Sequence, residues 1–271
     1  MQLEILITDI TEALGEVMVA ELSLQGFESF WESEEGLRGY IEEDVFDEAK
    51  MLELKKQYGI HYQLQNVNSA SWDVALNDHF QSIEISENCI VRSSQTTETN
   101  HKYQLVVDPK LAFGSGEHPS TWLCLKMQLE MDHFNKKVVD IGTGSGILAI
   151  MAEKCGAAEI DAFDNNPWAI EIMQETLQLN ASKKINVMAG EQDDINLQAP
   201  YNLALGNLNA SVLLEYLPQF IELVENGGQM LLSGYMEKDK DAIHELAANS
   251  GLSLLKESEK DNWIAALFEK R

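Results

Sequence analysis

The sequence predicts a two-domain α/β protein, in which a large domain built on a mainly parallel sheet follows a small α+β domain. From Lys137 onward, apolar strand-like runs alternate with helical patterns, the order typical of a parallel sheet covered by helices. Before residue 68 the patterns follow the order βαββαβ, which matches the ferredoxin-like motif but fixes no function. We therefore assign residues 1–67 to the small domain, 68–100 to a connector and 101–271 to the large domain.

The small domain is predicted from local signals along the chain. Apolar residues alternate in the strands, recur at helical spacing in the first helix, and stop at Gly26 and Gly59, two helix-ending glycines. Glu34-Glu35-Gly36 indicates a hairpin between the second and third strands. The predicted elements are strands at 3–8, 27–31, 37–41 and 60–67 and helices at 11–25 and 47–58.

The connector and the large domain carry the remaining elements. Ser71 to Leu76 is predicted to open a short helix, and the last two strands are close enough in sequence to form an antiparallel hairpin at the sheet edge. A ligand is expected at the carboxyl ends of the central strands. The predicted strands lie at 89–92, 103–107, 137–141, 158–163, 185–188, 201–206, 229–233, 252–257 and 262–268.

Composition excludes several classes of protein. The chain has 271 residues, 45% of them apolar, which is enough for a sizeable core, and it has no apolar run of membrane-spanning length. Glu4 and Asp9 stand where a signal peptide would be positively charged. The three cysteines are odd in number and widely spaced, so neither a disulfide framework nor a zinc site is indicated. We expect a cytoplasmic protein without a metal.

The net charge of −26 indicates the kind of partner. Such a field repels nucleic acid, whose binding depends on Lys and Arg contacts to phosphate, and it speeds the encounter with basic proteins. Residues 1–64 contain four Lys or Arg and fifteen Asp or Glu, a net charge of −11. A basic protein partner and no direct nucleic-acid binding are therefore expected, with solubility alone as the alternative reading of the charge.

A glycine-rich loop is the strongest chemical signal in the sequence. An apolar strand ends at Ile141 and is followed by Gly142, Gly144 and Gly146, after which a helix begins. Alternating glycines let the backbone turn sharply and bring its N–H groups close to a ligand. Dinucleotide-binding loops have the spacing GxGxxG, whereas this loop is GxGxG. The spacing favours a nucleoside cofactor without a pyrophosphate, such as S-adenosylmethionine; a purely structural turn is the alternative.

Three further side chains are candidates for the site. Asp164 follows the strand predicted at 158–163, 22 residues beyond Gly142, where a carboxylate can accept hydrogen bonds from ribose hydroxyls. The alternative is a helix cap, but Asn166, before Pro167, already fits that role. Asn207 ends the fourth strand, where its amide could orient a reacting amine.

Thr121 lies in the first turn of a predicted helix, after a loop with two glycines and two prolines. Its hydroxyl could reach a cofactor carboxylate there, or it could be part of an ordinary helix start. His118, just before it, is expected to cap or pack rather than to act as a base. Asn209 is expected to cap the helix that follows it.

Four stretches together resemble the family of bacterial ribosomal protein L11 methyltransferases. They are Asp108 to Thr121, Val139 to Ile150, Gly206 to Leu208 and Leu232 to Gly234, and Trp72 to Phe80 resembles the connector of that family. The resemblance covers about residues 70–270 and is weaker in the N-terminal domain. The sequence departs from the family pattern at Ser115 and Ser120, where the family usually has Thr, and at Gly206, where it usually has Ala.

The resemblance implies a Rossmann-like methyltransferase fold and S-adenosylmethionine as cofactor. It also implies methylation of lysine side chains and of the α-amino group of a ribosomal protein held by the small domain. By position, Thr121, Gly142, Gly144, Asp164 and Asn207 would contact the cofactor. The implied reaction is an in-line displacement from the sulfonium to a neutral amine, with no general base assigned. The alternatives are another basic protein or a small amine as acceptor, a nicotinamide-dependent dehydrogenase, or a binding module without catalysis.

Overall fold

The computed structural model describes residues 2–8, 10–23, 25–33, 36–43, 45–67, 82–97, 99–108, 116–192 and 195–271. The chain divides into two compact units, residues 1–79 and 80–271. The predicted domain boundaries at 67 and 100 stay a prediction. The helix predicted from Ser71 and most of the loop before Thr121 lie outside the described residues. No helix in the described ranges has the length and apolarity to cross a membrane.

The first unit has the predicted βαββαβ order. Its strands form one antiparallel sheet in the order β2-β3-β1-β4, and buried apolar side chains of β1 and β3, among them Ile5 and Leu37, pack with both helices. Asp47 caps the second helix and Gly59, at φ 69°, ends it as predicted. The elements are β1 Gln2–Thr8, α1 Glu12–Ser23, β2 Glu28–Ser33, β3 Gly36–Glu42, α2 Glu48–Tyr58 and β4 His61–Val67.

The second unit begins with a small sheet. Strand β5 (Ile83–Ser86) pairs antiparallel with β6 (Cys89–Arg92), which pairs parallel with β7 (Tyr103–Val106). The strands predicted at 89–92 and 103–107 are thus confirmed. Their buried side chains, including Val91 and Leu105, pack into the core of the large sheet, so this part of the predicted connector is built into the second unit.

The large sheet has seven strands in the order β10-β9-β8-β11-β12-β14-β13. The first five run parallel, and β14 is antiparallel to both of its neighbours, which confirms the predicted parallel sheet and edge hairpin. The elements are α3 Pro119–Gln128, β8 Lys137–Ile141, α4 Ile147–Lys154, β9 Glu159–Asp164, α5 Pro167–Leu179, β10 Ile185–Ala189, β11 Tyr201–Asn207, α6 Ala210–Glu222, β12 Val224–Met236, α7 Glu237–Asn249, β13 Leu252–Lys260 and β14 Trp263–Lys270.

Two apolar layers hold this sheet between its helices. Alternate residues of the central strand β8 point to opposite faces: Val138 belongs to the layer with α3, α4 and α5, and Val139 to the layer with α6 and α7. This period of two is the physical reason why continuous apolar strands identify a sheet that is buried on both faces. The layers leave the strand ends as the places where polar side chains can be presented.

Candidate functional site

Three strand ends meet at the centre of the large sheet. Strand β8 lies between β9 and β11, and the three run parallel, so Ile141, Asp164 and Asn207 end at the same edge. The chain passes to β9 and β10 on one side of β8 and to β11 and β12 on the other. Such a reversal of strand order opens a crevice at the carboxyl edge, which is where open α/β sheets bind ligands.

The glycine loop after β8 adopts a conformation that only glycines tolerate well. Gly142, Gly144 and Gly146 have φ values of 63°, 54° and 80°, a region in which side chains with a Cβ are strained. A Cβ on Gly142 would also lie 2.5 Å from Leu208 Cδ2, and one on Gly146 would lie 2.8 Å from Met173 Cγ. All three glycines are therefore favoured by the backbone conformation, and Gly142 and Gly146 also by close packing.

Asp140, in the strand before the glycine loop, holds the loop through hydrogen bonds. Its side chain is buried, and Oδ2 accepts hydrogen bonds from the Thr143 hydroxyl at 2.6 Å and from the Ala149 amide at 3.1 Å. Burial, with a smaller contribution from the nearby Asp164, raises the pKa of this carboxyl to about 7, against the opposing effect of the two hydrogen bonds. The sequence shows Asp140 only as a strand residue before the glycines, and we assigned it no role there.

Asp164 contacts the loop directly. Its Oδ2 accepts a hydrogen bond from the Gly144 amide at 3.0 Å, and its Oδ1 accepts one from the Asn166 amide at 2.9 Å. Each oxygen of a carboxylate has about two acceptor positions, so each of these oxygens can accept one more donor. Asn166 caps α5 as predicted, with its Oδ1 accepting from the Trp168 amide at 2.9 Å.

Thr121 and Asn207 come together across 86 residues of sequence. Asn207 Nδ2 donates to Thr121 Oγ1 at 3.2 Å, and the threonine is buried in the first turn of α3. The Asn207 Oδ1 is buried and has no hydrogen-bond partner among the described residues. Buried polar atoms are almost always hydrogen-bonded, so one without a partner requires an explanation such as a ligand.

Strand β11 stays in register at Gly206, the position where the sequence departs from the family pattern. Gly206 pairs with Ile141 on one side and with Leu232 on the other. Beyond it, the Leu208 amide donates to the Ser233 carbonyl at 2.9 Å. The missing methyl group of Gly206 therefore leaves the backbone on both sides of Asn207 hydrogen-bonded to its neighbours.

His118 and Asn209 have the capping roles that we predicted. The His118 Nδ1 accepts from the Ser120 amide at 3.3 Å, and its ring packs edge-to-face on Trp263 with 4.3 Å between centroids. Burial lowers the pKa of His118 to about 4, so the imidazole is neutral at physiological pH. Asn209 Oδ1 accepts from the Val212 amide at 3.0 Å. Within the described part of the chain, no group of three or more His, Cys, Asp or Glu is placed to hold a metal ion.

The fold is that of an α/β nucleoside-cofactor enzyme of the methyltransferase type, with the candidate site at the ends of β8, β9 and β11. Comparison with known proteins agrees. A model of the family described as ribosomal protein L11 methyltransferase (PrmA) matches residues 5–271. The chain belongs to this family, and the resemblance seen in the sequence is thereby confirmed.

Individual relatives carry the same description. The ribosomal protein L11 methyltransferase of Chlorobaculum parvum is 32% identical over 275 residues, which cover 97% of this chain and 95% of the relative. That of Phocaeicola vulgatus is 30% identical over 264 residues, covering 95% and 94%. A crystal structure of a ribosomal protein L11 methylase from Lactobacillus delbrueckii subsp. bulgaricus has 25% identity and a TM-score of 0.66, covering 71% of this chain and 100% of that chain.

Proposed function

We propose that this protein transfers methyl groups from S-adenosylmethionine to lysine side chains and to the α-amino group of ribosomal protein L11. The observation that carries the proposal is the family match over residues 5–271, which includes every residue of the site at the strand ends. The match favours methyl transfer over nicotinamide chemistry and over a binding module without catalysis. The experiment below distinguishes L11 from the alternative acceptors, which are another basic protein or a small amine.

The residues at the strand ends fit a nucleoside cofactor. The buried Asn207 Oδ1 lacks a partner in the described chain, so it can accept a hydrogen bond from an ammonium or amine group. Asp164 retains acceptor capacity on both oxygens beside Gly144. The pair of ribose hydroxyls, which are two adjacent donors, matches that capacity.

Each site residue then has a physical role. Asp164 binds the ribose, and Gly142 and Gly144 allow the backbone to approach the cofactor closely. Thr121 holds the Asn207 amide through their 3.2 Å hydrogen bond, and the amide orients the cofactor or the acceptor amine. Of these residues, Asn207 is the one to which we assign an orienting role in catalysis. We assign no general base. His118 does not supply one, because its Nδ1 accepts from the helix it caps.

The chemistry asks little more of the protein than positioning. S-adenosylmethionine supplies a methyl group that is already activated by the sulfonium charge, so alignment accounts for most of the rate enhancement. A lysine has an ordinary pKa of about 10.4 and must lose a proton before it attacks. A site that excludes water and holds a cation lowers that pKa.

Charge supports a basic protein as the acceptor. The net charge of −26 favours encounter with a basic partner and disfavours direct binding to nucleic acid. We assign recognition of the ribosomal protein to the small domain, residues 1–67, and we place the reaction in the cytoplasm.

Radiolabelled S-adenosylmethionine, incubated with the purified protein and purified L11, tests the proposal. We expect label on lysine side chains and on the α-amino group of L11, located by mass spectrometry. Asn207→Ala should abolish most of the labelling, whereas Asn209→Ala, which removes the cap of α6 two residues further on, should lower stability and leave labelling intact. A parallel incubation with cell extract detects other acceptors: label on a different protein or on a small amine there, with none on purified L11, would refute the substrate assignment.

A further inference from the structure

Asp140 is a buried carboxyl group whose two hydrogen-bond donors are both uncharged. It lies 1% exposed at the end of β8, between Ala162 of β9 and Leu205 of β11. The Thr143 hydroxyl and the Ala149 amide donate to its Oδ2. A buried carboxylate is costly to ionise unless a cation or several donors compensate. The charge of Asp140 is therefore sensitive to any cation bound over the loop.

Among the described residues, the ionisable groups that act on Asp140 are Asp164 at the end of β9 and Cys124 on α3. Asp164 is an acid, and its negative charge opposes ionisation of Asp140. Burial raises the pKa of the Cys124 thiol to about 12, so this thiol is neutral at physiological pH. Burial, and after it Asp164, raises the pKa of Asp140 to about 7. Near neutral pH, protonated and ionised forms of Asp140 thus coexist in the free protein.

We propose that Asp140 determines specificity between the sulfonium methyl donor and the thioether product, which has no net charge, by releasing a proton when the donor binds. The inference rests on the proposed function. S-adenosylmethionine carries one more positive charge than S-adenosylhomocysteine, because its sulfur is a sulfonium. A cation held by the loop and Asp164 favours the ionised form of Asp140, whereas the neutral product does not.

The proton balance follows from these charges. Donor binding releases up to one proton from Asp140 to solvent, and Asp140 can take a proton back from solvent once the sulfonium has become a thioether. Tight binding of the donor and weaker binding of the product then depend on the same carboxyl group. The preference for donor over product rises with pH up to the pKa of free Asp140 and levels off above it, because the ionised form is the one that the cation stabilises.

Calorimetry on the full-length wild-type protein measures this linkage without any turnover. Each ligand is titrated at pH 6.0, 7.5 and 9.0 in two buffers with different ionisation enthalpies, which gives the number of protons released on binding. At pH 6.0, where the α-amino groups of both ligands are protonated, we expect S-adenosylmethionine to release more protons than S-adenosylhomocysteine. The ratio of the two affinities should fall by up to about eightfold between pH 7.5 and pH 6.0.

Two variants assign the proton to Asp140. Asp140→Asn keeps an acceptor for Thr143 but cannot titrate, so the difference in proton release between the ligands should disappear. Asp161→Asn is the matched control, because Asp161 is also a buried acid, on β9, but bonds Tyr201 and Asn186 instead of the loop. This control should keep the wild-type difference.

Equal proton release for both ligands in the wild-type protein would overturn the inference, even if Asp140→Asn fails to fold. A difference at pH 6.0 that persists in folded Asp140→Asn would overturn it as well. Binding of S-adenosylmethionine without linked protons contradicts this inference alone, whereas no binding at all contradicts the proposed function too.

Discussion

Replacing Asp164 by alanine tests the central contact of the site. The variant removes the acceptor that we assign to the ribose, and it also removes the two hydrogen bonds from the amides of Gly144 and Asn166. A hydrogen bond to a charged acceptor contributes about 1.5–3 kcal/mol, so the cofactor affinity should fall by about 10- to 160-fold. The free energy of unfolding should fall by about 1–3 kcal/mol, since the loop and the start of α5 both lose an anchor.

Isothermal titration with S-adenosylmethionine measures the affinity, and urea unfolding of the free protein measures the stability. Asn166→Ala is the matched control: it removes the cap of α5 at a cost of about 1 kcal/mol but keeps the Asp164 carboxylate. Its cofactor affinity should match that of the wild type. Unchanged affinity in Asp164→Ala, or an equal loss in Asn166→Ala, would show that Asp164 organises the backbone and does not bind the cofactor.

Three further predictions concern the small domain and His118. Deleting residues 1–67 should preserve S-adenosylmethionine binding but abolish methylation of L11; full activity of the truncated protein would contradict the recognition role. With saturating cofactor, kcat/KM for L11 should fall as the salt concentration rises, because charges more than about 10 Å apart are screened, whereas the affinity for the cofactor should not change. A constant kcat/KM would mean that the −11 charge of residues 1–64 serves solubility alone. Burial lowers the pKa of His118 to about 4, so protonating this imidazole favours the unfolded chain. The free energy of unfolding should be at its full value above pH 6.5 and should decline by about 2–3 kcal/mol as the pH falls to 4. Urea unfolding of His118→Gln should show a weaker decline, and an identical decline would rule His118 out as the cause.

The parts of the fold that could be predicted are those with strong periodicity and clear punctuation. Gly59 and Asn166 each mark a helix boundary, and the structure has both boundaries where they were expected. Strand β12 was predicted too short, at 229–233, because Asn226-Gly227-Gly228 is also a typical turn sequence. The strand instead begins at Val224 and contains an irregularity in its pairing with β11, since Gly227 at φ 77° lets the chain bulge and continue.

Only the site residues at strand ends could be placed together from the sequence. Parallel strands put Asp164 and Asn207 at one edge, and that follows from their order alone. The hydrogen bond between Asn207 and Thr121 joins residues 86 positions apart, and no local pattern contains it. Burial also depends on residues that are distant in sequence. Asp140 is read from the sequence as an ordinary strand residue, and only packing by both neighbouring strands raises the pKa of its carboxyl group.

Charge counting shows the same limit. Glu4 contributes to the −11 of residues 1–64, but the structure buries it and pairs it with Arg38 at 2.7 Å. Tyr40 and Gln65 also donate to its carboxylate. A buried, neutralised acid contributes little to the field that a distant partner meets, so the charge available for steering is smaller than the count.

The three glycines are explained by the conformation and packing of the loop as well as by the close approach of a ligand. A Cβ on Gly142 or Gly146 would crowd Leu208 or Met173, and both glycines have positive φ values, so a larger residue is disfavoured even before a cofactor is considered. Asp140 and Asp164 add hydrogen bonds that hold the loop from two strands. Ordering a flexible backbone costs about 1–2 kcal/mol per residue, and a loop fixed in the free protein avoids that cost when ligand binds. Gly142 also leaves room for the Leu208 side chain, which follows Asn207 in the sequence, so the glycine loop packs beside the proposed orienting amide, as a reaction that depends mainly on alignment requires.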